Sequence, residues 1–260
     1  MKSNYQKVVE FNTCFESYIS KTLNKNIFFD NPSIVKLKYN LIDEEIKELN
    51  EAYNNNDIIE IVDALSDIKY VLYGFACAFG INMDTTFKHY LSIFVKDLSI
   101  NNNVSNFKLI SSYHNYNNNI KDYINNIKFD EFKESLDSLI KIINCINYDL
   151  KYEINNCNID NIRINICKLL YHVNMFGSII GIDLDESFDI VHKSNMTKIC
   201  DTEELAIKTV EWYKNNDLRY KTPCYKQNNF GYIIYNEETG KILKSINYTP
   251  ANFSSIICSV

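Results

Sequence analysis

The segment from about residue 57 to residue 80 constrains the fold more than any other part of the chain, because it is apolar on more than one side at helical spacing. Its apolar residues are Ile58, Ile61, Val62, Leu65, Ile68, Val71, Leu72 and Phe75. A helix of this kind must lie at the centre of a bundle, where several neighbours cover it. Asp57 can cap its start, and Gly80 is placed to end it.

Apolar stripes at helical spacing recur along most of the remaining chain. They predict helices over about 4–24, 34–53, 84 to the late nineties, 105–127, 129–151, 159–180, 185–195 and 202–215. The whole chain has only 6 Gly and 3 Pro, too few for a loop-rich β-sandwich. Residues 231–235 and 241–246 flank a turn at 236–240 and predict a β-hairpin. The expected fold class is therefore mainly α, an antiparallel helical bundle with a small C-terminal β-hairpin.

Composition excludes several classes of protein. A hydrophobic fraction of 46% and a charged fraction of 23% are those of an ordinary globular protein. The net charge of −6 argues against nucleic acid as a partner, since nucleic-acid binders normally carry a basic stripe. No apolar run approaches the roughly 20 residues that span a bilayer, and the N-terminus lacks the apolar core of a signal peptide. Eight cysteines without a CxxC pair suggest reduced thiols, so we expect a cytoplasmic protein with no membrane partner.

A faint internal repeat spans the two halves of the predicted bundle. The repeated positions are Tyr70 with Tyr171, Gly80 with Gly181, and Phe87 with Phe188. They share an offset of 101 residues (181 − 80), and both a duplication and a coincidence remain open. Under a duplication, an acidic half (1–97) and a degenerate half (104–200) would form one bundle domain over 1–200. Residues 201–260 would then be an extension made of one helix and the hairpin.

Two pairs of acidic residues on consecutive helices are the strongest chemical signal. Glu45 and Glu48 share one helix face, as do Glu60 and Asp63, because residues three apart are neighbours on a helix. If the two helices pack antiparallel through the short link at 54–56, the pairs face each other. Like charges in a half-buried setting are costly unless a cation neutralises them, and oxygen ligands suit Mg²⁺ or Mn²⁺.

These acids have a simpler interpretation as a solvated helix face balanced by Lys36, Lys38 and Lys47. For a lone ExxE motif that interpretation is the better one. Here Glu60 and Asp63 occur in one of the most apolar helices of the chain, where a carboxylate needs a partner. The pattern therefore favours a metal site.

The EExxE motif at residues 44–48, followed by ExxD at residues 60–63, resembles the all-α nucleotide pyrophosphohydrolases. This group includes MazG-type enzymes, phosphoribosyl-ATP pyrophosphohydrolases and dimeric dUTPases. The segment at residues 192–198 (HKSNMTK) is similar to a later phosphate-contacting stretch of MazG-like members. The resemblance is tight over about 36–75 and 188–198 and loose over 5–200, and the middle of the chain, 97–160, departs from the compact family pattern.

The resemblance implies a function and a set of site residues. Metal ligands would be Glu45, Glu48, Glu60 and Asp63, and the catalytic group would comprise Glu44, Glu45, Glu48 and Asp67, with Glu44 or Asp67 accepting the proton of the attacking water. Candidate substrate-binding residues are Lys38, Lys193, Asn195, Lys198, Arg219 and Lys221, with Lys244 as a more speculative addition. The expected reaction is Mg²⁺- or Mn²⁺-dependent cleavage of a nucleoside triphosphate into a monophosphate and pyrophosphate.

Within that group, housecleaning of the nucleotide pool of the dUTP/dCTP type fits this chain better than histidine biosynthesis, because phosphoribosyl-ATP enzymes are short chains. The family resemblance also implies a homodimer. The alternative is a non-catalytic helical interaction or scaffold protein derived from the same fold. The two hypotheses differ in metal binding, since a scaffold should show no metal-dependent stabilisation.

Overall fold

The computed structural model describes residues 2–100 and 129–257, and their architecture is mainly helical. The helices are α1 (Asn4–Cys14), α2 (Ile27–Asp30), α3 (Pro32–Asn54), α4 (Ile58–Ala78), α5 (Met83–Ile100), α6 (Phe129–Asn155), α7 (Ile159–Ile179), α8 (Leu184–Met196), α9 (Glu203–Asn216) and α10 (Ser254–Ile257). The strands are β1 (Pro223–Asn228) and β2 (Gly231–Asn236). The predicted fold class, a helical bundle with a small C-terminal hairpin, is confirmed.

Helix α4 lies at the centre of the bundle, as its apolar surface predicts. It packs against α3, α8, α1 and α7, and Ile61, Leu65 and Ile68 are fully buried. The Asp57 side chain caps its start by accepting hydrogen bonds from the next turn. Its end is fixed at Gly80, whose φ of +71° favours glycine and where a Cβ would lie 1.9 Å from the carbonyl oxygen of Thr22.

Helices α3 and α4 form a tight hairpin that carries the acidic residues. Their connection is only Asn55, Asn56 and Asp57, and Asn56 takes a left-handed φ of 53°. On the inner side of α3, Ile42, Ile46 and Leu49 are buried. Burial of these side chains stabilises the hairpin by roughly 1.5–3 kcal/mol for each one removed from water.

Helices α6 and α7 repeat this hairpin with the predicted offset. Helix α3 ends at Asn54 and α6 at Asn155, and α4 and α7 begin at Ile58 and Ile159. The turn before α7 has Cys157 at a φ of 53°, as Asn56 has before α4. These matching boundaries are what a duplicated half-unit would leave, while the division into domains at 1–200 and 201–260 stays a prediction.

The last helix of each half crosses to the other half. Helix α8, which follows α7, packs chiefly against α4 and also against α1. Helix α5, which follows α4, packs against α7 as well as against α4 and α1. Because of this exchange, the C-terminal end of α8 lies next to the acidic hairpin.

The C-terminal hairpin forms with a strand pairing that differs from the predicted one. Strand β1 pairs antiparallel with β2, with Cys224 opposite Tyr235. Residues 241–246, predicted as the second strand, follow β2 only briefly, through the Tyr235–Ile242 bridge and the bond from Leu243 N to Ile234 O. The chain then turns away toward α9, because the backbone of Lys244 bonds to the Tyr213 hydroxyl instead.

One predicted helix is shorter than its predicted range. The helix predicted over 4–24 ends at Cys14, because Glu16 adopts a left-handed φ of 49° and Ser17 N bonds back to Asn12 O. The helix predicted over 105–127 lies outside the described residues. Within the described ranges no single helix could cross a membrane, and only α4 with part of α5 (Met83–Ile93), bent by 104°, meets the length and composition criteria as a pair.

Candidate active site

The acidic residues of α3 and α4 face one another across the hairpin. Burial raises the pKa of Glu45 to about 9, and the charges of Asp67, Glu48 and Glu44 add to that rise. Burial and the charge of Glu44 likewise raise the pKa of Glu48. Mutual repulsion of this kind requires proximity, so carboxylates of the two helices share one site.

Helix α4 contributes two half-buried carboxylates to this site. Burial, together with Glu60 and Glu48, raises the pKa of Asp63 to about 6. Burial, followed by the charge of Asp63, raises the pKa of Asp67 to about 7. Glu60 lies in the exposed first turn of α4, so it flanks the others at the rim. Asp67 is therefore as central as the predicted ligands.

The chemistry of these groups fits a divalent cation, although no ligand set is preassembled. Among residues 2–100 and 129–257, no three His, Cys, Asp or Glu side chains are arranged to hold a metal ion as they stand. The carboxylates nevertheless sit in a half-buried environment that disfavours their charges, and bound Mg²⁺ or Mn²⁺ would relieve that cost. Glu45, Glu48, Asp63 and Glu60 are the oxygen donors that could bind it.

Three lysines line the same acidic group. Lys241 Nζ lies 2.6 Å from Glu44 Oε2 in an ion pair that spans 197 residues of chain. The positive charges of Lys198 and Lys244 lower the pKa of Asp67, against the effect of burial. Burial lowers the pKa of Lys198 itself to about 8, because its ammonium is largely shielded from water. The site therefore has two sides: an acidic wall, made of the carboxylates of α3 and α4, and a basic wall, made of Lys198, Lys241 and Lys244.

An aromatic and polar layer continues from Lys198 toward α1. The Lys198 ammonium lies 5.9 Å from the centre of the Phe11 ring, and Phe11 stacks on Phe15 at 4.4 Å. Phe11 also meets Tyr70 edge-on at 5.8 Å, and the Tyr70 hydroxyl lies 3.0 Å from His192 Nδ1. These rings provide flat apolar surface beside the charged groups.

Two amides in this region are buried. Asn195, on α8, forms a hydrogen bond with the Tyr70 hydroxyl. This bond offsets part of the rise that burial causes in the Tyr70 pKa, and it connects α8 to α4. Asn12, on α1, is 1% exposed, and its Nδ2 has no hydrogen-bond partner within the described part of the chain. A buried amide donor of this kind normally has a partner, so Asn12 Nδ2 is an unusual unpaired donor.

The predicted substrate-binding residues lie in several different places. Lys198 and Asn195 lie beside the acids, whereas Lys193 and Lys221 are exposed. Lys38 points into the bundle, with its Nζ 3.8 Å from the position of a Cβ on Gly74. That position is about two helical turns along α4 from Asp67.

Arg219 is bound to a carboxylate outside the acidic group of α3 and α4. It forms a bidentate pair with Asp217, with bonds of 2.8 and 2.7 Å, and its side chain is largely exposed. Its charge still reaches Glu44 weakly, since Glu44 contributes the smallest part of the rise in the Arg219 pKa. The role predicted for Arg219 in substrate binding stays a prediction.

Sequence reasoning missed Lys241 and Tyr248. Lys241 was interpreted as a strand residue of the hairpin, and its ion pair with Glu44 depends on how the C-terminal segment folds back onto α3. The Tyr248 ring lies 4.7 Å from Lys244 Nζ and 6.0 Å from Lys198 Nζ. The two lysines that flank Ile242 and Leu243 are the one available signal, and they do not identify a partner.

Comparisons with known proteins place the acidic hairpin in a family. Residues 11–90 match the family model of phosphoribosyl-ATP pyrophosphohydrolase, and this range includes the acids of α3 and α4. An uncharacterized protein of Acanthamoeba polyphaga mimivirus, L479, is 34% identical over 267 residues, which cover 98% of this chain and 96% of the relative. No solved structure matches the chain significantly.

The matched range, the helical fold and the opposed acids agree with the resemblance found in the sequence. Residues 11–90 therefore form a phosphoribosyl-ATP pyrophosphohydrolase domain, of the MazG-like all-α nucleoside triphosphate pyrophosphohydrolase superfamily.

Proposed function

We propose that the protein is a Mg²⁺- or Mn²⁺-dependent nucleoside triphosphate pyrophosphohydrolase. Its domain supports a pyrophosphohydrolase function in general, and a nucleotide substrate fits the family. MazG-like pyrophosphohydrolases generally use divalent metals. The observation that carries the proposal is the facing of Glu45 and Asp67 across the hairpin, where burial and repulsion raise both pKa values.

The proposed reaction breaks one phosphoanhydride bond. A water oxygen bonds to the α-phosphorus, the bond from that phosphorus to the α,β-bridging oxygen breaks, and a monophosphate and pyrophosphate result. A divalent ion, when bound, supplies positive charge to the phosphate oxygens and acidifies water. Glu45, Glu48, Glu60 and Asp63 would hold it.

The chain's own residues would manage the proton and the developing charge. Asp67 is the better candidate for accepting the water's proton, since Glu44 is already paired with Lys241. Lys198 would neutralise charge on the phosphates, and Asn195 would orient them. Both come from the end of α8, which the exchange between halves brings to the acidic hairpin.

For the base, we propose a substrate of the dUTP or dCTP type, as nucleotide-pool housecleaning requires. The stacked rings of Phe11 and Phe15 offer a surface for a flat base. The buried amide of Asn12 could donate a hydrogen bond to a pyrimidine carbonyl oxygen. A homodimer is proposed on family resemblance alone, and a cytoplasmic location on the reduced thiols that the cysteine pattern suggests.

A nucleotide screen with pyrophosphate detection tests the proposal. All common ribo- and deoxynucleoside triphosphates are incubated with the protein, with and without Mg²⁺. We expect pyrophosphate release from at least one pyrimidine deoxynucleotide, only with the metal, and no release by the Glu45→Gln variant. Metal-independent release, or none from any nucleotide, would contradict the proposal and favour the scaffold alternative.

A further inference from the structure

Residues 241–249, here called the C-terminal strap, are fixed between α8 and α9. Lys244 exchanges backbone hydrogen bonds with the Tyr213 hydroxyl at 3.0 and 3.1 Å. Thr249 bonds to Ser194 Oγ at 2.8 Å and to Thr197 Oγ1 at 2.9 Å. At the start of the strap, Lys241 O accepts a hydrogen bond of 2.9 Å from Asn236 N, so the backbone of the strap is held at both ends and at Lys244.

The strap presents its lysines to the acidic hairpin. Lys241 reaches Glu44 on α3, and its Nζ also lies 5.9 Å from the centre of the Tyr220 ring. The Tyr248 ring is in contact with both Lys244 and Lys198, and the Tyr248 hydroxyl accepts a hydrogen bond of 2.7 Å from Ser194. Tyr248 therefore holds a lysine of the strap close to a lysine that follows α8.

Lys241 is paired with Glu44, but the other two lysines of the basic wall are not in ion pairs. Across residues 2–100 and 129–257, neither Lys244 nor Lys198 has a carboxylate within ion-pair distance. The positive charges of both lysines nevertheless lower the pKa of Asp67, and the charge of Lys244 also lowers the pKa values of Asp63 and Glu48. Lys244 is exposed, whereas the Lys198 ammonium is largely shielded from water, and two neighbouring ammonium groups without ion pairs are suited to a polyanionic ligand.

The phosphates of a bound nucleotide would contact both the acidic wall and the basic wall. Carboxylates neutralised by a divalent cation no longer balance the lysines, so the basic wall gains affinity for anions when the acidic wall is filled. During the proposed reaction negative charge builds on the leaving group, and lysines stabilise such charge. The strap lies beyond the matched range of residues 11–90, so its contribution belongs to this chain's extension.

We propose that Lys241 and Lys244 of the C-terminal strap, together with Lys198 and oriented by Tyr248, form the binding subsite for the pyrophosphate leaving group. This inference rests on the proposed function and deepens it, because a subsite for pyrophosphate makes the enzyme selective for nucleoside triphosphates over diphosphates. In the protein without ligand, Glu44 forms the ion pair with Lys241, and pyrophosphate would displace Glu44 from this lysine.

Binding of pyrophosphate itself, without nucleotide, tests the subsite. Isothermal titration calorimetry in buffer containing Mg²⁺ compares the wild type with the Lys241→Gln/Lys244→Gln double variant. The matched control is Lys226→Gln, because Lys226 also pairs with a glutamate, Glu16, and contacts an aromatic ring, Tyr235. We expect binding at least tenfold weaker in the double variant and unchanged in the control.

Several outcomes decide the proposal. Equal pyrophosphate affinity in the wild type and the double variant would overturn it, as would an absence of binding in the wild type. A double variant with lysines replaced by arginine should retain binding. If the glutamine double variant does not fold, the single Lys244→Gln variant decides instead: a threefold or larger loss supports the subsite, and no loss overturns it.

Failure of the subsite and failure of the proposed function would look different. An enzyme without this subsite would release pyrophosphate in the nucleotide screen but bind added pyrophosphate independently of Lys241 and Lys244. A protein without the proposed activity would release none from any nucleotide, whatever the calorimetry shows.

Discussion

The hairpins α3–α4 and α6–α7 share their boundaries at an offset of 101 residues (159 − 58) but present opposite chemistry. Where the first has Glu45 and Asp63, the second has Ile146, which is buried, and Ile164, which is 44% exposed. At the position equivalent to Asp67 stands Lys168. The second hairpin packs with an acid at only one equivalent position, Asp149 in place of Glu48, so the helical pair does not need the full acidic group in order to fold.

The comparison therefore separates what stabilises the bundle from what serves a site. Buried leucine and isoleucine side chains occupy the inner sides of both hairpins, and they account for the packing. The acids of the first hairpin work against stability, because their raised pKa values mean that the folded state disfavours their charges. Residues retained at such a cost indicate function.

The second half still contributes to the proposed site through α8. Lys198 and Asn195 follow the second hairpin in the chain yet lie beside the acids of the first. The pseudo-symmetric arrangement thus supports one composite site, with its acidic wall from one half and its phosphate-binding residues from the other.

The largest loss of turnover is expected at Glu48, and its equivalent in the second hairpin, Asp149, provides the comparison. Glu48→Gln removes an oxygen donor of the acidic wall, and turnover of the best nucleotide should fall about 10³-fold, since loss of about 4 kcal/mol of transition-state stabilisation corresponds to that factor. Asp149→Asn should change turnover less than about twofold. Steady-state kinetics with saturating Mg²⁺ measures both, and equal losses would erase the distinction between the halves.

A second comparison concerns two lysines at the C-terminal end of α8, Lys193 inside the helix and Lys198 just after it. Lys198→Ala should lower kcat/KM by about 10–100-fold, because a lost charge-assisted contact to phosphate amounts to roughly 1.5–3 kcal/mol. Exposed Lys193→Ala should remain within about twofold of wild type. A larger loss at Lys193 would place the phosphates outside the site described above.

The stability of the metal-free protein should depend on pH because of the acidic wall. The pKa values of Asp63, Asp67 and Glu45 are raised to about 6, 7 and 9, so the folded state holds these protons more tightly than the unfolded state. That stabilisation is complete below pH 4 and is lost as pH rises to about 9. Urea unfolding with a chelator present, between pH 5 and 9, should show the decline.

Neutralising one of these acids should reduce the decline. Asp67→Asn is expected to raise the free energy of unfolding at pH 8 by about 1–3 kcal/mol, since one pKa unit corresponds to about 1.4 kcal/mol. Asp149→Asn in the second hairpin serves as the control and should have no such effect. If Asp67→Asn destabilises the metal-free protein at pH 8, the carboxylate is stabilised by its surroundings and the charge argument is wrong.

The smallest effect is expected from putting one acid back into the second hairpin. Ile164→Asp replaces a partly exposed side chain, so the free energy of unfolding should change by less than about 1 kcal/mol. No additional metal should bind, because Ile146 and Lys168 still occupy the neighbouring equivalent positions. A second metal equivalent in a Mn²⁺ titration would show that the residue at position 164 alone decides metal binding, in spite of Ile146 and Lys168.

The sequence predicted the elements that local patterns control. The apolar surface of α4, the capping Asp57 and the turn at Gly80 are local signals, and the facing of the two acidic pairs follows from a short connection between long helices. The pairing of β1 with β2 and the end of α1 at Cys14 were missed. In α1 the stop depends on Glu16 in a left-handed conformation, which no glycine marks.

The basic wall could not be predicted in the same way. Lys241 is separated from Glu44 by 197 residues, and its position depends on the packing of the strap between α8 and α9. No periodicity encodes a contact of that range. Lys38 shows the converse, since its place beside the motif suggested substrate binding while its helical phase turns it toward Gly74.

Mn²⁺ binding followed by electron paramagnetic resonance tests most directly whether the facing carboxylates form a cation site. Free Mn²⁺ is titrated with the wild type and with a Glu45→Gln/Asp63→Asn variant, both at pH 7.5. We predict saturable binding by the wild type and at least a hundredfold loss of affinity in the variant. Equal Mn²⁺ uptake by both proteins, or none by the wild type, would contradict the account.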